Sequence, residues 1–488
     1  MPSRSVVALF AALFAVLGAG PATASSVLLM GPHGRVIDHR DRSLPHAPAL
    51  PEVPRGAVRA TPAAAPQKPR TAAVLSALLD QGAIDQATYD RARADYDRAR
   101  QLARKLKGAR RVAMRGVVAD LDGMAARDAV VPARLPALLA TLEANIRWWT
   151  TGPLLAPGAR VEFAHSGIVW QHYAGHGIQI QWLGTWGRAN GLWAAENQDA
   201  AFAALLAEAV GLGGQRAGGL AFEYLFPFDG GRPPWVSGLT QGTALSALVR
   251  GGLRLKDPQW KDAARSAVGI FRVPPPEGVA QPTADGTHYL QYSFAPRLHV
   301  LNGFIQSLNG LFDYASVLHD AEGQQLFDSG RAEAVAELPS YDTGGWSRYS
   351  NFRDSNLSYH ELLRDFLRNL CHRLQRHGRP GDPFCHYAGR FSDDLVRAPR
   401  ITLQGSTPRR LRARRRARVR FTLDKPATVT MVISRGRFAH RAVVPVASGP
   451  HSFGWKPPHA GRYAISLVAR DLAGNVASTS TAAAVRRR

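Results

Sequence analysis

Apolar residues recur at helical spacing in two stretches before residue 150. In both stretches charged residues, mostly arginine and aspartate, fill the opposite face, which is typical of amphipathic helices. We therefore predict a helical hairpin over residues 73–150, in which the tyrosines pack and carry no chemistry. The apolar positions are Tyr89, Ala92, Tyr96, Ala99, Ala103 and Leu106, then Leu138, Leu139, Leu142, Ile146 and Trp149.

A further series of helical segments lies between residues 196 and 375, joined by short irregular connections without strand signals. Consecutive helices of this kind are typical of helix-on-helix architectures. The pattern predicts a mainly α domain over residues 151–395, an α/α barrel or toroid whose cavity would suit a chain-like substrate. The predicted segments are 199–210, 240–253, 259–271, 301–319, 321–338 and 358–377.

After residue 400 the apolar residues alternate with polar ones, as in RVRFTL, TVTMVIS and RYAISLVARD. Glycine, proline and aspartate separate these runs and mark turns. The pattern predicts a small β-sandwich over residues 396–488, similar to Ig-like or fibronectin-like modules. We expect Trp455 and Tyr463 to lie in its core.

The first 24 residues have the pattern of a secretory signal peptide, with Arg4, a short apolar run and small residues up to Ala24. A membrane-spanning helix needs about 20 apolar residues, and no later segment reaches that length, so no stable membrane span is predicted. We expect a secreted or envelope-associated protein; a retained N-terminal anchor is the alternative. Residues 25–72 are rich in proline and alanine and are predicted to be a flexible linker.

The chain is basic, with 61 Lys and Arg against 37 Asp and Glu and a formal net charge of +24. A positive field concentrates anionic polymers, so nucleic acid, acidic polysaccharide and acidic envelope surfaces are all compatible with it. Arginine-rich composition is also the ordinary mark of a high-GC genome. The run from Arg409 to Arg420 is interpreted as a solvated linker and strand edge, with binding of a polyanion as the alternative.

The chain has two cysteines, Cys371 and Cys385, on either side of a Gly/Pro-rich loop. In an oxidising compartment they are predicted to form a disulfide. The neighbouring His372 and His386 leave a zinc site with two cysteines and two histidines as the alternative, although the spacing matches no standard zinc module.

Four sequence blocks follow one another between residues 233 and 360. They are PPWVSGLTQG with Trp235, Gln241 and Gly242, then HYLQYSFAPRLHVLNGF, LPSYDTGGWSRY and NLSYH. In this order they resemble the D-glucuronyl C5-epimerase family and its C-terminal catalytic-type domain. The resemblance covers residues 195–372, somewhat under half of the chain, and does not extend to the family's N-terminal β domain.

The resemblance implies inversion of D-glucuronyl units in a heparosan-like polymer to L-iduronyl units, without a metal or nucleotide cofactor. The hydrogen at C5 is α to a carboxylate, so its removal forms an enediolate. Inversion requires one group to remove the proton and another to donate one from the opposite face. The tyrosines implicated in the family correspond by motif to Tyr292, Tyr349 and Tyr359.

A phenol with a pKa near ~10 is a poor base at neutral pH unless nearby cations stabilise the phenolate. Arg297, Arg348 and Arg353 lie in the same blocks and are predicted to do so, or to bind the substrate carboxylate. The remaining predicted substrate-binding residues are Trp235, Gln241, His360, Glu223 and Gln291.

Gln291 stands where the family has a glutamate immediately before its first tyrosine. An amide cannot accept a proton as a carboxylate does, so Glu223 and Glu361 are candidate substitutes. A second departure is the short interval between Asn356 and Tyr359.

Two other functions remain open from the sequence. A polysaccharide lyase would begin with the same proton abstraction and then expel the C4 oxygen. A non-catalytic protein could instead bind acidic glycans through a cleft that lacks its base. Nucleic-acid binding is not expected, because no recognised motif accompanies the arginines. The expected partner is an acidic, uronate-containing polysaccharide, and the sequence does not predict an oligomeric state.

Overall fold

Residues 25–44, 52–58, 71–404 and 411–487 are described by the computed structural model. The predicted signal peptide, residues 1–24, lies outside them. The chain divides into an N-terminal unit, Met1–His299 with Gln306–Glu333, and a C-terminal unit, Val300–Ile305 with Ala334–Arg488.

Within the described ranges, no helix combines the length and apolar character needed to cross a membrane.

Most predicted helices are present. Each of the six segments predicted between residues 196 and 375 is helical, although the third ends in a separate 3₁₀ turn at Gly269–Phe271. The helices of the described chain are α1 (Thr71–Asp80), α2 (Gln86–Lys105), α3 (Gly108–Ala125), α4 (Leu135–Thr151), α5 (Trp182–Ala194), α6 (Asp199–Gly211), α7 (Gly238–Arg254), α8 (Pro258–Ala267), α9 (Leu301–Leu318), α10 (Ala321–Glu337), α11 (Leu357–Arg376) and α12 (Phe384–Val396).

The region predicted as a helical hairpin contains four helices, α1 to α4, so that prediction is incomplete. The prediction missed α3 because arginines are interleaved with its buried stripe of Ala113, Met114, Val117, Leu121 and Met124. This stripe has helical spacing once the arginines are placed on the other face.

A mixed sheet of five strands precedes and follows these helices in the chain. Its order is β2-β1-β3-β4-β5, and only β1 and β3 run parallel among its neighbours. Asn145 of α4 ties the helix to β5, because its side chain bonds both main-chain groups of Ile178, at 2.7 and 2.8 Å. The strands are β1 (Ser25–Met30), β2 (Val36–Asp41), β3 (Arg160–Phe163), β4 (Trp170–Tyr173) and β5 (Gly177–Ile180).

The flexible linker predicted for residues 25–72 is therefore wrong for its first part. Residues 25–41 form β1 and β2, and Val27 and Leu44 are buried together with Val169. The Pro/Ala-rich composition begins only after Leu44, and the apolar residues before it are enough to pair with β3 and pack.

The mainly α prediction, an α/α barrel or toroid, is also wrong, because short antiparallel strand pairs interrupt the helices. They are β6 (Gly214–Arg216) with β7 (Gly219–Ala221), β8 (Ala280–Pro282) with β9 (Thr287–Tyr289), and β10 (Arg348–Ser350) with β11 (Arg353–Asp354). Strands of two or three residues are too short to show an alternating pattern in the sequence. With the sheets at both ends, the described chain has a mixed α and β fold.

Helices α7 and α9 cross in close contact within the N-terminal unit. A Cβ atom at Gly310 would lie 2.1 Å from the carbonyl oxygen of Gly242, so the two helices approach too closely there for any residue but glycine. Ser237 precedes α7, and its hydroxyl accepts a hydrogen bond from the N–H of Thr240 at 3.3 Å, which caps the helix. The first sequence block thus encodes a helix start and a helix crossing.

In the region predicted as a β-sandwich, the C-terminal unit has two sheets, with orders β12-β14-β17 and β13-β19-β18-β15-β16. Trp455 and Tyr463 are buried in the core between them, as predicted. The strands are β12 (Ile401–Leu403), β13 (Leu411–Arg412), β14 (Ala417–Leu423), β15 (Ala427–Arg435), β16 (Phe438–Val446), β17 (Gly449–Trp455), β18 (Gly461–Asp471) and β19 (Val476–Arg486).

Cys371 of α11 and Cys385 of α12 form a disulfide. Both sulfur atoms are therefore bonded to each other and cannot serve as thiolate ligands of zinc. The alternative of a zinc site with His372 and His386 is not supported.

Candidate active site

Tyr349 and Tyr359 lie against each other in the C-terminal unit. Their ring centroids are 4.7 Å apart, and both residues are 4% exposed. Tyr349 belongs to β10, and Tyr359 lies in the first turn of α11. Asn356 caps this helix, since its side-chain oxygen accepts the N–H of Tyr359 at 2.9 Å. The short interval between Asn356 and Tyr359 is therefore the first turn of a capped helix.

The pKa of the Tyr359 phenol is raised well above its usual value, chiefly by burial and secondarily by Tyr349. At neutral pH this phenol keeps its proton. It is suited to donate a hydrogen bond or a proton and not to act as the initial base. A phenolate stabilised by arginines, as expected from the sequence, is not favoured at this position.

His360 is fully buried next to this pair and supports the loop before Tyr349. Its Nδ1 accepts hydrogen bonds from the N–H and the hydroxyl of Ser347, at 3.2 and 2.8 Å. Its Nε2 donates to the carbonyl oxygen of Phe391 at 2.9 Å. Burial lowers the pKa of His360 to about 4, so the ring is neutral. Both ring nitrogens bond to the protein and hold the loop in position, while the predicted binding of substrate by His360 stays a prediction.

The β-sandwich reaches the same loop through Lys425. The ammonium group of Lys425 donates to the carbonyl oxygens of Asp394 and Arg397, at 2.7 and 2.6 Å, and forms an ion pair with Asp471 at 3.1 Å. It also lies 5.6 Å from the ring centre of Trp346, in a cation–π contact. A second link joins the hydroxyl of Thr343 to the carbonyl oxygen of Asp424 at 2.8 Å. The sandwich is thus built into the support of the tyrosine pair.

Tyr292 lies in the N-terminal unit, within a cluster of aromatic rings. Its ring centroid is 5.8 Å from those of Phe228 and Trp235 and 5.4 Å from that of Phe294. Trp235 also stacks on Tyr224 at 4.1 Å. Rings at these distances pack favourably and hold the phenol of Tyr292 in a fixed orientation.

Gln291 is buried, and its amide nitrogen donates a hydrogen bond to the hydroxyl oxygen of Tyr292 at 2.8 Å. A carboxylate at this position would accept the phenol proton, whereas the amide leaves that proton for another acceptor. The substitution therefore reverses the direction of the hydrogen bond between the two side chains.

Glu223, the suggested substitute base, is buried between two arginines. Arg134 forms a bidentate pair with it, at 2.6 and 2.9 Å, and Arg216 contacts it at 2.8 Å. Both carboxylate oxygens of Glu223 are thus bonded to arginines of the protein, which is a structural arrangement. The suggested role of Glu223 in binding substrate or as a base stays a prediction.

Two further residues predicted to bind substrate have internal partners. The amide nitrogen of Gln241 donates to the carbonyl oxygens of Leu220 and Ala267, at 2.8 and 2.7 Å. The indole N–H of Trp235 donates to the carbonyl oxygen of Phe226 at 2.9 Å. Gln241 holds three segments together, and Trp235 forms the base of the aromatic cluster.

The three arginines predicted near the tyrosines are all exposed. Arg348 and Arg353 lie on the two strands of the β10–β11 hairpin beside Tyr349, and Arg297 lies in the loop that follows Tyr292. Their predicted binding of a substrate carboxylate stays a prediction.

The sequence blocks match a known family. Residues 218–377 match the profile described as the D-glucuronyl C5-epimerase C-terminus. The resemblance inferred from the four blocks is confirmed. A D-glucuronyl C5-epimerase of Caenorhabditis elegans is 29% identical over 130 residues, which are 24% of this chain and 21% of that protein. This C5-epimerase similarity supports an epimerase-type function.

Two further comparisons give weaker similarity than the epimerase family does. An uncharacterised protein of Methanocaldococcus jannaschii is 25% identical over 159 residues, covering 32% of this chain and 49% of its own length. The chain thus spans about a fifth to a half of the curated relatives it matches. The endo-β-1,4-glucanase CMCax of Acetobacter xylinum is similar over 43% of this chain and 69% of its own, with 13% identity and a TM-score of 0.30. That score is too low to support a conclusion about the fold.

Several residues of the site gave no signal in the sequence. Trp346 and Ser347 lie inside a recognised block, but only their contacts with His360 show that they position the loop. Lys425 lies 65 residues beyond His360 in a different predicted domain.

Proposed function

We propose that the protein is a C5-epimerase of uronate units in an acidic polysaccharide, converting D-glucuronyl to L-iduronyl residues. The observation that carries the proposal is the Tyr349–Tyr359 pair, which lies inside the segment that matches the epimerase family. Buried tyrosines with fixed orientations are suited to proton transfer at a carbon next to a carboxylate.

In this proposal a base removes the C5 proton, and the bonding electrons pass into the carboxylate as an enediolate. Tyr359, which keeps its proton at neutral pH, delivers a proton to C5 from the other face, and the enediolate returns to a carboxylate. Exposed arginines of the β10–β11 hairpin would neutralise charge on the carboxylate. We also propose that the protein acts outside the cytoplasm, which is supported by its disulfide.

The test is incubation of the full chain with heparosan in deuterated water, followed by measurement of deuterium at C5. We expect exchange with the native protein and a decrease of about 100-fold or more for Tyr359→Phe, which removes only the hydroxyl. Tyr89→Phe is the matched control, since Tyr89 belongs to α2 outside the matched segment. Absence of exchange with every uronate polymer tried would overturn the proposal.

The hydrogen bond from Gln291 to Tyr292 favours a second candidate, a glycan-binding protein that has lost its base. Tight binding of heparosan without exchange would support this candidate. Unsaturated uronate ends, detected by ultraviolet absorption, would instead identify a lyase.

A further inference from the structure

Asp120 and His176 form a close pair in the N-terminal unit, outside the segment that matches the epimerase family. Nδ1 of His176 lies 3.1 and 3.0 Å from the two carboxylate oxygens of Asp120. The side chain of His176 is 30% exposed and that of Asp120 is 10% exposed. Within the described chain, Nε2 of His176 makes no hydrogen bond. Asp120 therefore fixes the ring orientation and leaves Nε2 available to a ligand.

The local sequence explains why these two side chains meet. Gly116 lies one turn before Asp120 on α3, and Gly175 directly precedes His176 in the turn between β4 and β5. A Cβ atom at Gly116 would lie 1.8 Å from the carbonyl oxygen of Gly175. Only a glycine permits this approach of helix and turn, and the approach places His176 over the same face of α3 as Asp120.

Two arginines lie beside this pair. Arg127, which follows α3, donates a hydrogen bond to the carbonyl oxygen of Pro233 at 3.2 Å, next to Arg232. The pKa of Arg127 is lowered by burial and, next, by the positive charge of Arg232, while Asp120 opposes both effects. The hydrogen bond to Pro233 brings the guanidinium group of Arg127 to the segment that carries Arg232. Two positively charged side chains in the same neighbourhood favour the approach of an anion.

An aromatic surface adjoins the pair. The ring centroid of Phe226 lies 6.0 Å from His176 and 4.4 Å from Tyr173, and Phe228 lies 6.4 Å from Tyr173. Tyr173, His176, Phe228 and Arg232 are partly exposed, so they form one accessible surface of apolar rings and donor groups. Such a surface suits a sugar, whose faces carry C–H groups and whose edges carry hydroxyls.

We propose that Arg127, Arg232, His176, Tyr173 and Phe228 form a binding subsite for an acidic sugar. The guanidinium groups of Arg127 and Arg232 bind the carboxylate, Nε2 of His176 bonds a hydroxyl, and the rings contact the sugar face. The subsite rests on the proposed function only for the identity of its ligand, a uronate unit of the polymer. An aromatic surface beside two arginines distinguishes this subsite from a site for a bare inorganic anion.

The test is calorimetric titration of the full chain with a size-defined heparosan oligosaccharide. We expect the double substitution Arg127→Ala and Arg232→Ala to weaken binding at least about tenfold, because each removes a charged partner of the carboxylate. Arg115→Ala is the matched control, since it removes the same charge from an exposed position of α3. Tyr173→Leu alone is expected to weaken binding several-fold. Thermal unfolding of each variant separates loss of the site from loss of the fold.

The outcomes separate the subsite from the proposed function. Equal binding by the double variant and the native protein would overturn the subsite, even if C5 exchange is observed. Binding that depends on both arginines, without C5 exchange by the native protein, would support the subsite and overturn the epimerase. Equal affinity for a neutral dextran oligosaccharide, or displacement of the heparosan by inorganic phosphate at similar concentration, would also overturn the subsite.

Discussion

The indole ring of Trp346 lies flat on the imidazole ring of His360, with ring centroids 3.7 Å apart and planes 9° apart. The indole N–H donates to the carbonyl oxygen of Ser355 at 2.9 Å, so the stack joins the two ends of the segment that carries Tyr349 to α11. Because Tyr359 directly precedes His360, a shift of this stack would move both tyrosines. The packing of Trp346 on His360 therefore helps to fix the positions of the two tyrosines that are candidates for the chemistry.

The buried His360 predicts loss of stability on acidification. Its folded-state pKa, lowered to about 4, lies below the usual value of 6.5 for an unfolded histidine. The unfolded chain therefore binds the proton first, and the contribution of His360 to stability is lost as the pH falls from about 6.5 to 4. We expect the free energy of unfolding, measured with urea, to fall over this range by about 3 kcal/mol from this residue.

The variant His360→Gln isolates this effect. Glutamine keeps one donor and one acceptor but does not titrate, so the variant should be less stable at pH 7 and lose less stability on acidification. His440→Gln is the control, since His440 lies on β16 in the same unit. A native slope that persists unchanged in His360→Gln would contradict the assignment.

From the contacts of Lys425 we predict that the β-sandwich and the helices α11 and α12 unfold together. Lys425 and Asp471 have fully buried side chains, and Lys425→Met leaves Asp471 and two carbonyl oxygens without their cation. We expect a loss of about 3–5 kcal/mol in the free energy of unfolding. The exposed Lys456→Met is the matched control. Restoration of most of the loss by adding Asp471→Asn would identify the unpaired charge as its cause.

The contrast between Lys425 and the helices shows what the sequence could predict. Helices such as α7 and α11 have long apolar stripes, so local spacing was enough to place them. Lys425 lies between Asp424 and Pro426 in the turn that joins β14 to β15, and nothing local indicates that it is buried. Its burial depends on α12 and Trp346, which are distant in the chain. The same holds for the short strands β6 to β11, whose two or three residues show no period.

The residues of the candidate site also differ in how much the sequence could predict about them. Motifs identified Tyr349 and Tyr359, and the structure places these two side by side. Motifs also marked Gln241, Trp235 and His360, but the hydrogen-bond partners of these residues are groups of the protein itself. A recurring motif does not distinguish a residue that touches substrate from one that supports the fold. Only the three-dimensional contacts make that distinction.

We predict that restoring a carboxylate at position 291 increases activity. In Gln291→Glu the carboxylate would accept the phenol proton of Tyr292, in place of the present N–H donor, and could act as a base. We expect the rate of C5 deuterium exchange with heparosan to increase about tenfold or more. Gln281→Glu, on β8, adds the same charge elsewhere in the N-terminal unit and is the control. Unchanged exchange in Gln291→Glu would contradict the prediction and show that a carboxylate at position 291 does not act as the base.

Asp120 predicts a pH dependence opposite in sign to that of His360. Burial raises the pKa of its carboxyl to about 6, although His176 and Arg127 oppose the shift. The folded chain therefore holds the proton more tightly than the unfolded chain. The contribution of this group to stability is complete below pH 4 and is lost as the pH rises through 6.

Replacing Asp120 with asparagine removes the free-energy cost of a buried charged carboxylate at high pH, since the amide is neutral at every pH. We expect Asp120→Asn to be more stable than the native protein at pH 7.5, by about 2 kcal/mol, and equally stable near pH 4. Urea unfolding between pH 4 and 8 measures the difference, with Asp128→Asn, an exposed position shortly after α3, as the control. A stability difference that does not change with pH would mean that Asp120 is charged throughout this range. In that case His176 and Arg127 would outweigh burial, and the carboxylate would compete with an acidic sugar for Arg127.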